Sequence, residues 1–298
     1  MHERFVALLP LTHSVDFAHD QILARLIGLF PSLTSKLGVV RAGGFAAGGE
    51  GKPCLLSVGP NIISVHLHPG PPQLAIKEAL EDLVPAWFGS RQDHPKVHAH
   101  VVVRAEKDAN NPATALAAAA AVSMVTSALI SIVPVNEVIW KTGQVSTEPQ
   151  AFQRAALRLT IPEIKVPHWL TWRSFDGPPS PQGLPTLIYH SKGLAPFFGR
   201  ELETVPSILP RGEVEKRVLA VTDFLILHGP PIRDDMPLYV PDHDYVRVRL
   251  RDRGLIDPSP VLLLRIEAGP SYEAGRVGGL GYGQAMPARG GFGRRAVS

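Results

Sequence analysis

The feature that most constrains the fold is a 21-residue segment, 113–133, that carries no charged side chain. Such a segment is long enough to cross a lipid bilayer as a helix. It consists largely of alanine, however, and contains five serine and threonine residues. Alanine contributes little to membrane insertion and strongly favours helix formation. The composition therefore favours a buried helix inside a folded protein over a membrane span, and Pro134 is expected to end it.

Apolar periodicity predicts the elements on either side of this helix. In the first half, the predicted strands are 5–9, 54–58, 62–68 and 98–105, and the predicted helices are 16–30 and 73–88. In the second half, the predicted strands are 169–175, 184–190, 245–250 and 261–266, and the predicted helices are 148–159 and 213–227. Each half shows a repeated strand–helix–strand order, which is typical of a ferredoxin-like, split βαβ fold.

We therefore predict an α+β protein with two ferredoxin-like halves, 1–147 and 148–268, each with an antiparallel sheet. Residues 269–298 contain nine glycines and no apolar periodicity, so we expect a disordered tail. This tail also carries the whole net charge of +3, which leaves the body of the chain neutral. A neutral body does not favour specific nucleic-acid binding.

Cysteine content indicates the cellular compartment. The chain has one cysteine, Cys54, which excludes an intramolecular disulfide and fits a reducing environment. The first four residues lack the basic region of a signal peptide, and no long apolar core follows them. A cytoplasmic location is therefore expected.

The densest motif is the segment 191–203, SKGLAPFFGRELE. Together with Trp87, the strand 98–103, the segment 137–144 (EVIWKTGQ) and the segment 167–170 (PHWL), it resembles bacterial proteins that carry domain of unknown function 4261. The resemblance spans about residues 6–266. It implies a standalone bacterial cytoplasmic protein, and the family name implies no activity, cofactor or catalytic residue. An association with toxin–immunity or secretion systems is a further hypothesis.

Within this motif, seven residues form a candidate functional surface: Lys192, Gly193, Phe198, Gly199, Arg200, Glu201 and Glu203. On a strand, the carboxylates of Glu201 and Glu203 share one face. With Arg200 they could form an acid–base or cation site. The favoured alternative is a charged edge strand, because such charges discourage pairing with other chains.

Two His-x-His pairs, His66 with His68 and His98 with His100, are candidate metal ligands. Residues two apart on a strand share a face, so each pair could offer two imidazoles to one divalent ion. The favoured alternative is that these are hydrogen-bonded histidines at strand ends. A metal site also needs converging geometry and supporting contacts.

Specific catalytic motifs are absent from the sequence. It contains no Gly-x-Ser-x-Gly, His-Glu-x-x-His or Cys-x-x-Cys pattern. The leading hypothesis is therefore a non-enzymatic protein-binding module with an immunity or regulatory role and no cofactor. The alternative is a metal-dependent enzyme that uses the His-x-His pairs. The sequence specifies neither the partner nor the oligomeric state.

Overall fold

Two β-sheets, one from each half of the chain, form the framework of the protein. The computed structural model describes residues 5–13, 15–45, 52–70, 84–85, 97–107, 111–160, 168–229, 233–238 and 246–266. All of them fall within one compact unit, residues 1–267. The predicted tail 269–298, Trp87 and most of the predicted helix 73–88 lie outside the described residues. The described part of that helix, Val84–Pro85, is instead a short strand.

The first sheet has eight strands. They are β1 (Val6–Leu11), β3 (Leu37–Arg41), β5 (Cys54–Val58), β6 (Asn61–Pro69), β7 (Val84–Pro85), β8 (Ala99–Ala105), β9 (Val138–Trp140) and β10 (Val145–Thr147). Their order is β3-β5-β6-β8-β1-β9-β10-β7, and the β10–β7 pair alone is parallel. A separate two-stranded sheet pairs β2 (Phe17–Ala18) with β4 (Gly44–Phe45).

The second sheet has six strands. They are β11 (Thr171–Gly177), β12 (Thr186–Lys192), β13 (Glu201–Thr204), β14 (Met236–Leu238), β15 (Val246–Arg251) and β16 (Val261–Ile266). Their order is β11-β12-β13-β16-β15-β14, and the β13–β16 pair alone is parallel. This sheet therefore has β13 in its interior, with a paired strand on each side.

Five α-helices complete the described fold. They are α1 (His19–Leu29), α2 (Pro112–Ile130), α3 (Pro149–Leu157), α4 (Ala195–Phe198) and α5 (Arg211–His228). Two 3₁₀ helices, Pro31–Lys36 and Arg158–Thr160, follow α1 and α3. The predicted α+β class with two mainly antiparallel sheets is confirmed.

The ferredoxin-like order predicted for each half is not confirmed. In the first sheet, β8 and β9 both pair antiparallel with β1, so they run parallel to each other with β1 between them. Helix α2 joins β8 to β9 in the chain, which makes one split βαβ crossover. In the second sheet, the parallel strands β13 and β16 are direct neighbours instead.

The alanine-rich segment forms α2, which is largely buried. Asn111 caps it, because the side-chain oxygen of Asn111 accepts a hydrogen bond from the amide of Thr114 at 2.9 Å. Of the described helices, α2 alone is long and apolar enough to cross a membrane, and 67% of its most apolar stretch is buried inside the protein. This burial agrees with the core helix that the composition predicts.

An aromatic cluster joins the first sheet to the second half of the chain. The ring of Trp169 stacks between those of Trp140 and Phe197, each at a centroid distance of 5.9 Å. Phe5 packs on Phe197 at 5.0 Å. The indole N–H of Trp169 donates to the Ser123 hydroxyl of α2 at 2.9 Å, so its polar atom is satisfied in the core.

His168, beside this cluster, is expected to make stability depend on pH. Its Nδ1 is buried and has no hydrogen-bond partner among the described residues, and burial lowers the pKa of the ring from 6.5 to about 4. Between these two pKa values the unfolded chain binds a proton that the folded protein does not. We therefore expect the free energy of unfolding to fall as the pH drops from about 6.5 to about 4, by up to ~3 kcal/mol.

Urea denaturation at several pH values between 7 and 4 measures this effect. The variant His168→Phe should lose that part of the pH dependence, whereas the same substitution at the exposed His13 should keep it. Identical slopes for His168→Phe and the wild-type protein would show that the buried ring titrates normally.

Candidate functional site

Three neighbouring strands of the second sheet place Arg173, His190 and Glu203 side by side. Arg173 on β11 is the cross-strand partner of His190 on β12, and His190 is the partner of Glu203 on β13. Residues two apart on a strand share a face, so Phe175 lies beside Arg173, and Lys192 lies beside His190. One face of the sheet therefore carries two basic side chains and an imidazole beside an apolar ring.

A cavity of about 390 Å³ lies over this face. The strands contribute Arg173, Phe175, His190 and Lys192 to its lining. The turn between β9 and β10 contributes Gln144, and the loop between β15 and β16 contributes Ile256, Asp257 and Pro258. The Gln144 side-chain oxygen accepts a hydrogen bond from Arg173 Nη2 at 3.0 Å, which orients the guanidinium. The backbone of Gln144 has a φ of 51°, so this residue sits in the left-handed region.

His190 is held by a fully buried carboxylate. The Oε2 atom of Glu203 lies 3.3 Å from His190 Nδ1, and Glu203 is 0% exposed. Glu203 also accepts the amide of Leu255 at 2.6 Å and that of Ile256 at 3.0 Å. A carboxylate accepts hydrogen bonds and donates none, so Nδ1 is the donor in the pair with His190.

A consequence is that the neutral imidazole carries its lone pair on Nε2. His190 lines the cavity, and Nε2 has no hydrogen-bond partner within the described part of the chain. Nε2 is therefore available to a molecule in the cavity as a proton acceptor.

Among the described residues, the fixed charges that line the cavity are two cations, Arg173 and Lys192, and the carboxylate of Asp257. Hydrogen bonds from the hydroxyl and amide of Ser259, at 2.7 and 2.8 Å, lower the pKa of Asp257, and the nearby charges of Lys192 and His190 lower it further. Asp257 is therefore ionised at neutral pH. The carboxylate of Glu203 lies behind the imidazole ring, on its Nδ1 side.

The loop over Glu203 depends on a glycine. A Cβ atom at Gly254 would lie 2.8 Å from the Glu203 Oε2 atom and 2.7 Å from the Asp257 carbonyl oxygen. Only a residue without a side chain permits this approach. Gly254 therefore allows the backbone amides of the loop to reach the buried carboxylate of Glu203.

Glu201, the second carboxylate on this strand, organises a turn. It is 5% exposed and accepts four hydrogen bonds: from the Ser191 hydroxyl at 2.6 Å and from the amides of Gly193, Leu194 and Ala195 at 2.9, 3.0 and 3.1 Å. These contacts fix the segment that leads into α4. The role of Glu201 is therefore structural.

The interpretation of Glu201 and Glu203 as charges on an edge strand is wrong. Their strand, β13, lies between β12 and β16, and both side chains are buried. Backbone amides, a serine hydroxyl and a histidine satisfy the two carboxylates, which makes their burial tolerable.

The rest of the predicted surface serves mainly the turn. Gly193 and Gly199 have φ values of 110° and 71°, in the region that favours glycine. Phe198 packs against the core, and Arg200 donates to the Arg251 carbonyl and, at 3.1 Å, to Asp252. Of the seven predicted residues, Lys192 lines the cavity and Glu203 supports it from behind.

Sequence reasoning missed Arg173, His190, Gln144 and Asp257. One signal could have found His190. His190 ends the predicted strand 184–190, and a short connection separates it from Glu201 and Glu203, whose alternation fits a neighbouring strand. Pairing of these strands would have predicted an imidazole beside a carboxylate.

The structure brings together three of the four predicted metal-ligand histidines. His66, His68 and His100 share the sheet face opposite α2, and the ring of His68 stacks on those of His66 and His100 at 6.0 and 4.9 Å. His98 is exposed just before β8. Within the described ranges, no group of three or more His, Cys, Asp or Glu residues is placed to hold a metal ion. The described residues therefore give the predicted metal role no support.

The environments of two of these rings disfavour protonation. Burial lowers the pKa of His66, and the charges of Arg104 and His68 lower it further. Burial also lowers the pKa of His100, although its Nδ1 lies 3.1 Å from the Gly70 carbonyl oxygen, a contact that acts in the opposite direction. Both rings are therefore neutral at neutral pH.

Comparisons of the chain with protein-family models, with curated proteins and with solved structures find no match. The resemblance to proteins with domain of unknown function 4261 therefore stays a prediction from sequence motifs. The chemistry of the cavity is the basis on which a function can be inferred.

Proposed function

We propose that this protein binds a small molecule with a phosphate or carboxylate group in the cavity over β11 and β12. The observation that carries the proposal is the convergence of Arg173 and Lys192 on one cavity, whose lining among the described residues includes a single carboxylate, Asp257. The size of the cavity lies in the range of small-molecule sites.

The two cations have complementary roles in anion recognition. The planar guanidinium of Arg173, oriented by Gln144, matches the two oxygens of a carboxylate or phosphate. Lys192 adds a point charge from the next strand. Apolar walls from Phe175, Ile256 and Pro258 reduce the local dielectric constant, which strengthens both interactions.

Phosphate and succinate are the probes for this proposal. Either anion, at a concentration well above its Kd, should raise the thermal midpoint of the wild-type protein by several degrees, because a ligand that binds only the folded state stabilises it. The variant Lys192→Met should bind the same anion at least about tenfold more weakly, as expected for the loss of a charge-assisted contact. Isothermal calorimetry measures both affinities, and the stronger anion identifies the class of ligand.

Lys216→Met is the matched control. Lys216 lies on α5, where it is exposed and forms a surface ion pair with Glu213 at 3.4 Å. The control should bind the anion as the wild-type protein does. The proposal fails if neither anion binds, or if Lys192→Met and Lys216→Met behave alike.

The sequence-based hypotheses stand beside this proposal. Affinity capture from the native host followed by mass spectrometry tests a protein-binding, immunity or regulatory role. Metal analysis of the purified protein, with His66→Ala and His100→Ala as controls, tests the metal-dependent alternative. The ferredoxin-like description of the halves, membership of the unknown-function family and a cytoplasmic location likewise remain proposals from the sequence.

A further inference from the structure

An anion site requires only a positive charge, and the buried His190–Glu203 pair provides more than that. Glu203 is 0% exposed and receives two backbone amides and one imidazole N–H. This arrangement fixes both the orientation of the ring and the nitrogen that carries its proton. A residue that only attracted an anion would gain nothing from a fixed tautomer, because it would act in the protonated state.

We infer that the site is catalytic and that His190 is the general base of a hydrolase that acts on an ester of the bound anion. This inference rests on the proposed anion binding. The substrate would hold its own phosphate or carboxylate group against Arg173 and Lys192, and its ester bond would face Nε2 of His190. A histidine whose second nitrogen is held by a buried carboxylate is a recurrent arrangement for general-base chemistry.

The reaction balances with water as the only co-substrate. Nε2 takes a proton from a water molecule, and the oxygen of that water forms a bond to the phosphoryl or acyl centre of the ester. The bond from that centre to the leaving oxygen breaks with its electron pair, and the leaving oxygen takes the proton back from Nε2. Glu203 stabilises the imidazolium that exists between these steps, and it keeps its own charge throughout.

Besides a base, such a reaction requires stabilisation of negative charge in the transition state, and the two cations supply it. Negative charge grows on the non-bridging oxygens as water attacks, and positive groups already in place stabilise it. Arg173 and Lys192 lie on the strand positions directly beside and two residues beyond His190. One face of two strands thus carries both the base and the charge that the transition state needs.

Hydrolysis of two anionic 4-nitrophenyl esters tests the inference. Methyl 4-nitrophenyl phosphate offers a phosphoryl centre, and mono-4-nitrophenyl succinate offers an acyl centre beside a carboxylate. The wild-type protein should release 4-nitrophenolate from one of them, and the reactive ester identifies the substrate class.

The variant His190→Asn isolates the base. The asparagine amide nitrogen places a donor near the position of Nδ1, where it faces Glu203. The substitution removes Nε2. We expect hydrolysis to fall at least about 100-fold, while the Kd for phosphate or succinate at pH 8 stays within about threefold. Lys216→Met should hydrolyse the ester at the wild-type rate.

Nitrogen-15 NMR of the histidine rings gives a second readout that does not depend on any variant. The neutral His190 ring should carry its proton on Nδ1. A proton on Nε2 would overturn the inference, as would anion binding without hydrolysis of either ester, or hydrolysis that His190→Asn retains. If neither anion binds the wild-type protein, the binding proposal itself fails.

Discussion

Replacement of Glu201 by alanine is expected to lower the free energy of unfolding by about 4 kcal/mol or more. The substitution removes the acceptor for four donors: the Ser191 hydroxyl and the amides of Gly193 and Leu194, which are buried, and the amide of Ala195, which is half-buried. A buried donor left without a partner costs about 1–3 kcal/mol, and the four donors lose their acceptor together. Removal of a buried charge offsets part of this loss, so the expected total stays below the simple sum.

Urea denaturation followed by tryptophan fluorescence measures this effect. Glu213→Ala is the matched control, because Glu213 lies on the surface of α5 and forms an ion pair with Lys216. Such surface pairs contribute at most about 1 kcal/mol. A Glu201→Ala protein as stable as the Glu213→Ala protein would show that the turn into α4 does not depend on this carboxylate.

Local patterns predicted much of the secondary structure. The apolar run 261–266 coincides with β16, and the predicted helix 213–227 lies within α5. The turn residues after 58 correctly predicted a hairpin of β5 and β6. In each case, the residues that decide the element are neighbours in the chain, so periodicity and turn chemistry suffice.

The burial of β13 depends on residues that are distant in the chain. Alternation correctly placed Glu201 and Glu203 on one face of a strand, but it does not reveal what covers that face. The amides that satisfy Glu203 come from Leu255 and Ile256, more than 50 residues later. The sequence pattern of a solvated edge strand is therefore identical to that of a strand whose two carboxylates are buried and bound by backbone amides.

The candidate site was missed for the same reason. His190 is a single histidine at the end of an ordinary strand, and Arg173 and Asp257 belong to no recognisable motif. They become a site only when β11, β12 and the loop after β15 meet around one cavity. The paired histidines form a more conspicuous local pattern, yet His66, His68 and His100 form a stack, and the described residues contain no metal cluster.

The approach of the β9–β10 turn to the second sheet leads to the other large expected effect, that of Gly143→Ala. An ideal Cβ atom at Gly143 would lie 2.0 Å from the carbonyl oxygen of Trp169, and one at Gly193 would lie 2.6 Å from the same oxygen. The Gly143 carbonyl also accepts a hydrogen bond from Thr171 at 2.9 Å. Two glycines thus let three backbone segments meet where the turn adjoins β11.

We expect Gly143→Ala to lower the free energy of unfolding by about 3 kcal/mol or more, because backbone rather than a flexible side chain must move to admit the methyl group. The next residue, Gln144, orients Arg173 in the cavity, so anion affinity should fall as well. Gly28→Ala on α1 is the control, since no atom of the described residues lies within 4 Å of its Cβ position. Because alanine is the better helix former, that variant should be more stable by about 0.5–1 kcal/mol. Urea denaturation of both proteins measures the contrast, and a Gly143→Ala protein that keeps both wild-type stability and anion affinity would mean that the turn does not hold the site.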